Sequence, residues 1–192
     1  RLLTPDTGEI IYKGQDLCQL SERKVQKVRQ EMGFMFQSNA LFTDLNVFEN
    51  IAYPIRVHCK LPESLIQHIV LMKLQMVGLR GAAYKMPNEL SGGMARRVAL
   101  ARSLAIDPSL MLYDEPFTGQ DPISLKVLLR LIKHINECLN MTSIIVSHDV
   151  EEVCLIADYV YIFESGKILA EGTPESLLHS ELKKVSQFMR GQ

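Results

Sequence analysis

The chain has 192 residues, 47% hydrophobic and 22% charged, a balance that suits a globular domain and excludes a disordered or fibrous chain. A formal net charge of −1 argues against a large nucleic-acid footprint, so we expect no nucleic-acid partner. The four cysteines stand far apart with no C-x-x-C pair, which excludes a zinc or redox motif, and no apolar run approaches the roughly 18–20 residues that cross a bilayer.

In chain order, Gly8 to Gly14 reads as a short strand between glycines. Ser21 caps a helix that runs toward Gln30, and the basic residues Arg23, Lys24, Lys27 and Arg29 read as its solvated face. Met32 to Phe36 is an apolar strand that ends at the polar Gln37. Asn46, with Glu49 three residues later, fits a capping box, and Pro54 is expected to end or kink the helix it opens. Pro62 opens a helix with Leu65, Ile69, Met72 and Met76 at helical spacing, read as core filler, and Gly78 closes it. Ser91 precedes a helix that reaches Ala105 and stops before Asp107-Pro108.

The last third alternates. Strands are expected at Leu110–Tyr113, Ser143–Val146, Tyr159–Phe163 and Lys167–Ala170, the last two joined at Ser165-Gly166. Helices are expected from about Ile123 to Leu139, from Glu151 to Ala157, and after Thr173-Pro174. Apolar strands alternating with helices predict an α/β fold with a mostly parallel sheet. The largely helical stretch 38–105 reads as an inserted subdomain between core segments 1–37 and 106–192.

Three runs carry chemistry. Two glycines in Ser91-Gly92-Gly93 let a ligand approach the backbone, and the helix they open presents unpaired N–H groups and a partial positive charge. With the Ser91 hydroxyl, the sum is an anion pocket suited to a terminal phosphate. The apolar strand Leu110–Tyr113 ends in Asp114 and Glu115, where parallel sheets bind ligands. Asp114 can hold Mg²⁺ and Glu115 can orient or deprotonate an attacking water. A further strand delivers His148 to the same edge, in reach of a γ-phosphate and that water. Gln37 ends its own strand and can reach Mg²⁺ or water, and Asp121 lies on a loop able to touch a neighbouring subunit.

Gln37, Leu90-Ser91-Gly92-Gly93, Asp114-Glu115 and His148, in this order, resemble the ATP-binding subunit of an ABC transporter, a P-loop NTPase fold. The resemblance implies ATP and Mg²⁺ as cofactors. It makes Gln37 the Q-loop glutamine, Leu90 to Met94 the signature segment, Asp114 the Walker B aspartate, Glu115 the catalytic glutamate, Asp121 a D-loop residue and His148 the switch histidine. The segments Ala40 to Asn50 and Phe117 to Pro122, together with Met94 where Gln is usual, are similar to the ATPases of Mla-type phospholipid transporters. That branch implies a homodimer under integral-membrane permease subunits at the cytoplasmic face of the inner membrane. An MCE-type substrate-binding protein and a STAS-domain protein would be further partners. Phe42 to Tyr53 would press on the permease.

The chain departs from the pattern in lacking any Gly-x-x-x-x-Gly-Lys-[Ser/Thr] loop and in opening at Arg1-Leu2-Leu3. We therefore expect a fragment, incomplete at its N-terminus and inactive as an ATPase by itself. Two other readings are a silent interaction module and an ABC ATPase for another substrate.

Overall fold

The computed structural model describes residues 3–189, so Arg1, Leu2 and the last three residues of the segment 106–192 lie outside the described residues. The predicted strand at 8–14 is instead a two-residue hairpin, β1 (Ile11–Tyr12) against β2 (Gln15–Asp16). Lys13 and Gly14 both take positive φ, at 47° and 75°, and two consecutive left-handed residues reverse the chain. Helix α1 (Glu22–Gln30) starts after Ser21, although the Ser21 side chain makes no capping bond.

Three strands form a parallel sheet: β3 (Met32–Met35), β4 (Leu110–Asp114) and β5 (Thr142–Val146), with β4 in the middle. Parallel pairing is confined to these three among the described residues. The pair β6 (Val160–Glu164) and β7 (Lys167–Gly172) is an antiparallel hairpin turned at Ser165-Gly166. Helices α7 (Pro174–Leu178) and α8 (Lys183–Met189) close a small core over that hairpin, with Ile162, Leu177, Val185 and Met189 buried.

The register of the parallel sheet sets Met35, Tyr113 and Ile145 side by side. Met35, Met111 and Tyr113 point into the main core. The opposite face shows Phe34, Phe36, Ile144 and Val146 to solvent, each 43–61% exposed. The core itself is shared between sheet and helical insert: α2 (Val47–His58), α3 (Glu63–Met76), α4 (Gly92–Ser103) and α5 (Pro122–Leu139) all contribute to one buried cluster.

Two expectations about the insert need correcting. Pro54 neither ends nor breaks α2, which continues to His58. Ile51 and Ile55 flank the proline and are fully buried, and this packing offsets the lost backbone hydrogen bond. The Leu65–Ile69–Met72–Met76 stripe is not the core face of α3. Leu65 and Met72 are 44% and 52% exposed, whereas Ile66, Val70 and Leu74, one position round the helix, are buried. Both stripes have helical period, so periodicity alone does not choose between them.

Capping follows the sequence more closely. The Asn46 side chain accepts the Glu49 N–H at 2.8 Å, but the reciprocal arm of the expected box is absent, because Glu49 pairs with Arg56. The first free N–H groups of α2, those of Val47 and Phe48, reach the carbonyls of Lys85 and Ala83 at 2.9 and 2.7 Å. Helix α3 ends at Val77 followed by Gly78, and α5 ends at Asn140 in the left-handed conformation. Helix α6 (Val150–Cys154) is shorter than expected.

Candidate functional site

The C-terminal edge of the parallel sheet gathers the site. Because Met35, Tyr113 and Ile145 are level, Gln37, Glu115 and Ser147 leave the sheet at one height, two residues further on. Asp114 is the last residue of β4 and half-buried. Among the described residues its carboxylate makes no hydrogen bond or ion pair, so its oxygens are available to a ligand.

Glu115 is the most constrained residue here. Its φ of 46° is left-handed for a residue with a Cβ, a costly conformation held by surrounding contacts. The Glu115 N–H donates to the Val146 carbonyl at 2.9 Å, extending the β4–β5 ladder by one bond. On its side chain, Oε2 accepts the hydroxyls of Thr118 and Ser147, both at 3.1 Å. Oε1 lies 2.9 Å from His148 Nδ1. Burial pushes the Glu115 carboxyl up, but the hydrogen bonds from His148, Ser147 and Thr118 outweigh it and hold the group below the usual carboxylate range. His148, 69% exposed, is pushed up by its hydrogen bond to Glu115 and by the nearby charges of Glu115 and Asp149.

The glycine run opens α4. Ser91 is the N-cap of α4 and its hydroxyl accepts the Met94 N–H at 3.3 Å. Among the described residues the Gly92 and Gly93 N–H groups find no acceptor, the condition for binding an anion. Gly92 faces open space, whereas a Cβ on Gly93 would overlap Ser124 at the start of α5. Asp121 caps that helix: one carboxylate oxygen accepts the Ile123 and Ser124 N–H groups, each at 3.0 Å. Hydrogen bonding to Ser124 holds its carboxyl low.

The Gln37 side chain is exposed, and its backbone is gripped. Arg96, 4% exposed, donates to the carbonyls of Phe36 and Gln37 through Nη1 and to that of Thr118 through Nη2. Arg102 donates to the carbonyls of Asn39 and Ala40, whose φ angles of 64° and 48° are both left-handed. Thus two arginines of α4 fix the segment after β3.

Oxygen donors from Asp114 and Gln37 suit a hard cation such as Mg²⁺. Glu115, His148 and Asp149 have donor atoms within 4.8 Å of one another, but the 2.9 Å Glu115–His148 contact, flanked by the Asp149 carboxylate 3.7 Å from His148 Nε2, suits them to handling a proton. Sequence reasoning missed Thr118, Ser147 and Arg96 as parts of the site. Thr118 and Ser147 are hydroxyl residues directly beside the motifs, a weak signal. Arg96 reads as one more helix arginine until its burial is seen.

The family model described as "ABC transporter" matches residues 1–118. The chain belongs to the ABC transporter family, whose ATP-binding subunits bind ATP, form dimers, work with membrane permeases and couple ATP hydrolysis to transport. Over 190 residues it is 62% identical to the intermembrane phospholipid transport system ATP-binding protein MlaF of Haemophilus influenzae, covering 99% of this chain and 72% of that protein. It is 50% identical to MlaF of Escherichia coli K12, covering 98% of this chain and 70% of that one. Among solved structures, cbiO1 from Clostridium perfringens superposes with a TM-score of 0.85 at 28% identity, covering 98% of this chain and 78% of that one. The ATP-binding cassette MJ0796, a dimer bound to ADP and Pi, superposes with a TM-score of 0.80 at 28% identity, covering 90% and 75% of the two chains. Among the described residues no helix is long and apolar enough to cross a membrane.

Proposed function

We propose that this chain is the ATP-hydrolysing part of an Mla-type transporter that moves phospholipid in the bacterial envelope. What supports the reading most is Glu115, held by three hydrogen-bond partners on a strained backbone at the sheet edge, in a chain 62% identical to an MlaF protein. Two copies would clamp ATP, each presenting Ser91, Gly92 and Gly93 to the nucleotide of the other. Asp114 and Gln37 would hold Mg²⁺, which supplies positive charge against the phosphates. Glu115 orients the attacking water and takes its proton; His148 holds that carboxylate from the solvent side and reaches the terminal phosphate. Asp121 lies at the dimer contact. In this reading 38–105 is a helical subdomain on the core of 1–37 and 106–192.

The segment Phe42 to Tyr53 faces the permease. An MCE-type protein and a STAS-domain protein complete the assembly at the cytoplasmic face of the inner membrane. The test is Glu115→Gln in the intact ATPase with its permease. General-base assistance is worth about 10²–10⁴ in rate, so turnover falls by that order while ATP binding and the nucleotide-held dimer persist. Near-normal turnover, or a variant that stays monomeric with ATP, refutes the assignment.

A further inference from the structure

Arg96 is the one arginine that is almost wholly buried among the described residues, and it has no carboxylate partner. Each partner it has is a backbone carbonyl. Those carbonyls come from two separate segments: Phe36 and Gln37 at the end of β3, and Thr118 in the turn after Glu115. Burying a guanidinium is expensive, and carbonyl oxygens only partly replace water. A planar fork, however, can hold two loops at once with fixed geometry, which a single ammonium cannot. Arg96 also sits one turn into the helix whose first residues are the glycine cradle. Thr118 in turn donates its hydroxyl to Glu115 at 3.1 Å.

We propose that Arg96 is a positioning residue that locks Gln37 and the Glu115 turn to the cradle helix, so that the cradle and the water-activating carboxylate of one copy move as a unit. This rests on the functional reading above. There, the cradle of a copy serves its twin's nucleotide while Glu115 serves its own. Arg96 therefore links the two ATP sites: engagement of α4 by one nucleotide sets Glu115 for the other.

The test uses the intact ATPase with its permease and compares Arg96→Lys, Arg96→Met, Glu115→Gln and the Arg96→Met/Glu115→Gln pair. Misplacing a reacting group by about 1 Å can cost about 10²-fold, so kcat falls by about ten- to a hundredfold in Arg96→Met. The loss is smaller in Arg96→Lys, which still reaches one segment. KM for Mg-ATP stays within about twofold, because Arg96 grips backbone carbonyls and contributes no atom of its own to the nucleotide. In the Glu115→Gln background, Arg96→Met costs clearly less than it does alone, since it acts through the same carboxylate. A loss carried by KM, a full kcat in both Arg96 variants, or losses that multiply in the double variant overturns the proposal. Should Arg96→Met fail to fold, Arg96→Lys decides: undiminished kcat overturns the proposal, and lowered kcat at constant KM supports it. Normal turnover in Glu115→Gln removes the functional reading itself, a failure distinct from multiplying losses.

Discussion

His148 Nδ1 stands 2.9 Å from Glu115 Oε1, although the two residues leave different strands. The parallel pairing of β4 with β5 brings them together, and the contact ties their protonation. Hydrogen bonding to Glu115 raises His148 above its ordinary 6.5, and the hydrogen bonds on Glu115 hold it below its ordinary 4.5.

From this follows a pH window. The imidazolium contribution to folding is complete below 6.5 and is lost as pH rises through the raised value of the folded state. The carboxylate contribution is complete above 4.5 and is lost as pH falls through the depressed folded value. The pair therefore contributes most between those two pH values. In an NMR titration the His148 ring midpoint lies above 6.5 and drops back in Glu115→Gln. A midpoint indifferent to that substitution would separate the two residues.

Gly92 and Gly93 stand in different surroundings. Gly92 faces open space, so Gly92→Ala keeps its stability or gains up to about 0.5–1 kcal/mol, while its methyl group stands in the proposed anion cradle and lowers turnover of the intact enzyme. Gly93→Ala meets Ser124 and destabilises by about 1–3 kcal/mol through overpacking. Urea denaturation beside an ATPase assay distinguishes them. Full activity in Gly92→Ala would remove Gly92 from phosphate binding.

Lys73 lies in the α3 core face with its side chain 2% exposed, paired with Asp107, which is 69% exposed. Losing the ammonium leaves no buried charge behind, because Asp107 simply returns to water. Lys73→Met is thus close to neutral, whereas Lys73→Ala opens a cavity and loses about 2–4 kcal/mol. Equal losses for both in chemical denaturation would show that the charge, not the volume, matters.

Asn50 is fully buried and organises the loop ahead of α2. Its Oδ1 accepts the Phe42 N–H at 2.9 Å, and its Nδ2 donates to the carbonyls of Phe42, Leu45 and Asn46 at 2.9–3.0 Å. Asn50→Ala strands these groups and loses about 1–3 kcal/mol or more. Asn50→Asp is worse, since a carboxylate cannot donate to three carbonyls. Thermal melts that rank Asp above Ala would contradict this account.

Much of the candidate site was legible because its residues end apolar runs. Gln37, Asp114-Glu115 and His148 each follow a strand whose residues are apolar enough to be recognised. The sheet's parallel register then puts them on one edge. Ser91, which the structure makes the N-cap of α4, was legible as the residue ahead of a helix. Arg96 and Arg102 were not, since a helix arginine looks alike in sequence whether it meets water or a carbonyl three segments away. The α3 stripe was misassigned because Leu65-Ile66 and Ile69-Val70 offer two apolar lines of equal period.

The sequence by itself determined the order of strands and helices from α1 to α7, the cap at Asn46, the start of α4 after Ser91 and the candidate site residues at strand ends, because those depend on local composition and spacing. Only the tertiary structure decided that Pro54 stays within a helix, which face of α3 is buried, and that Thr118, Ser147 and His148 converge on Glu115. Burial and hydrogen-bond partners are set by segments far apart in the chain, and no local pattern records them.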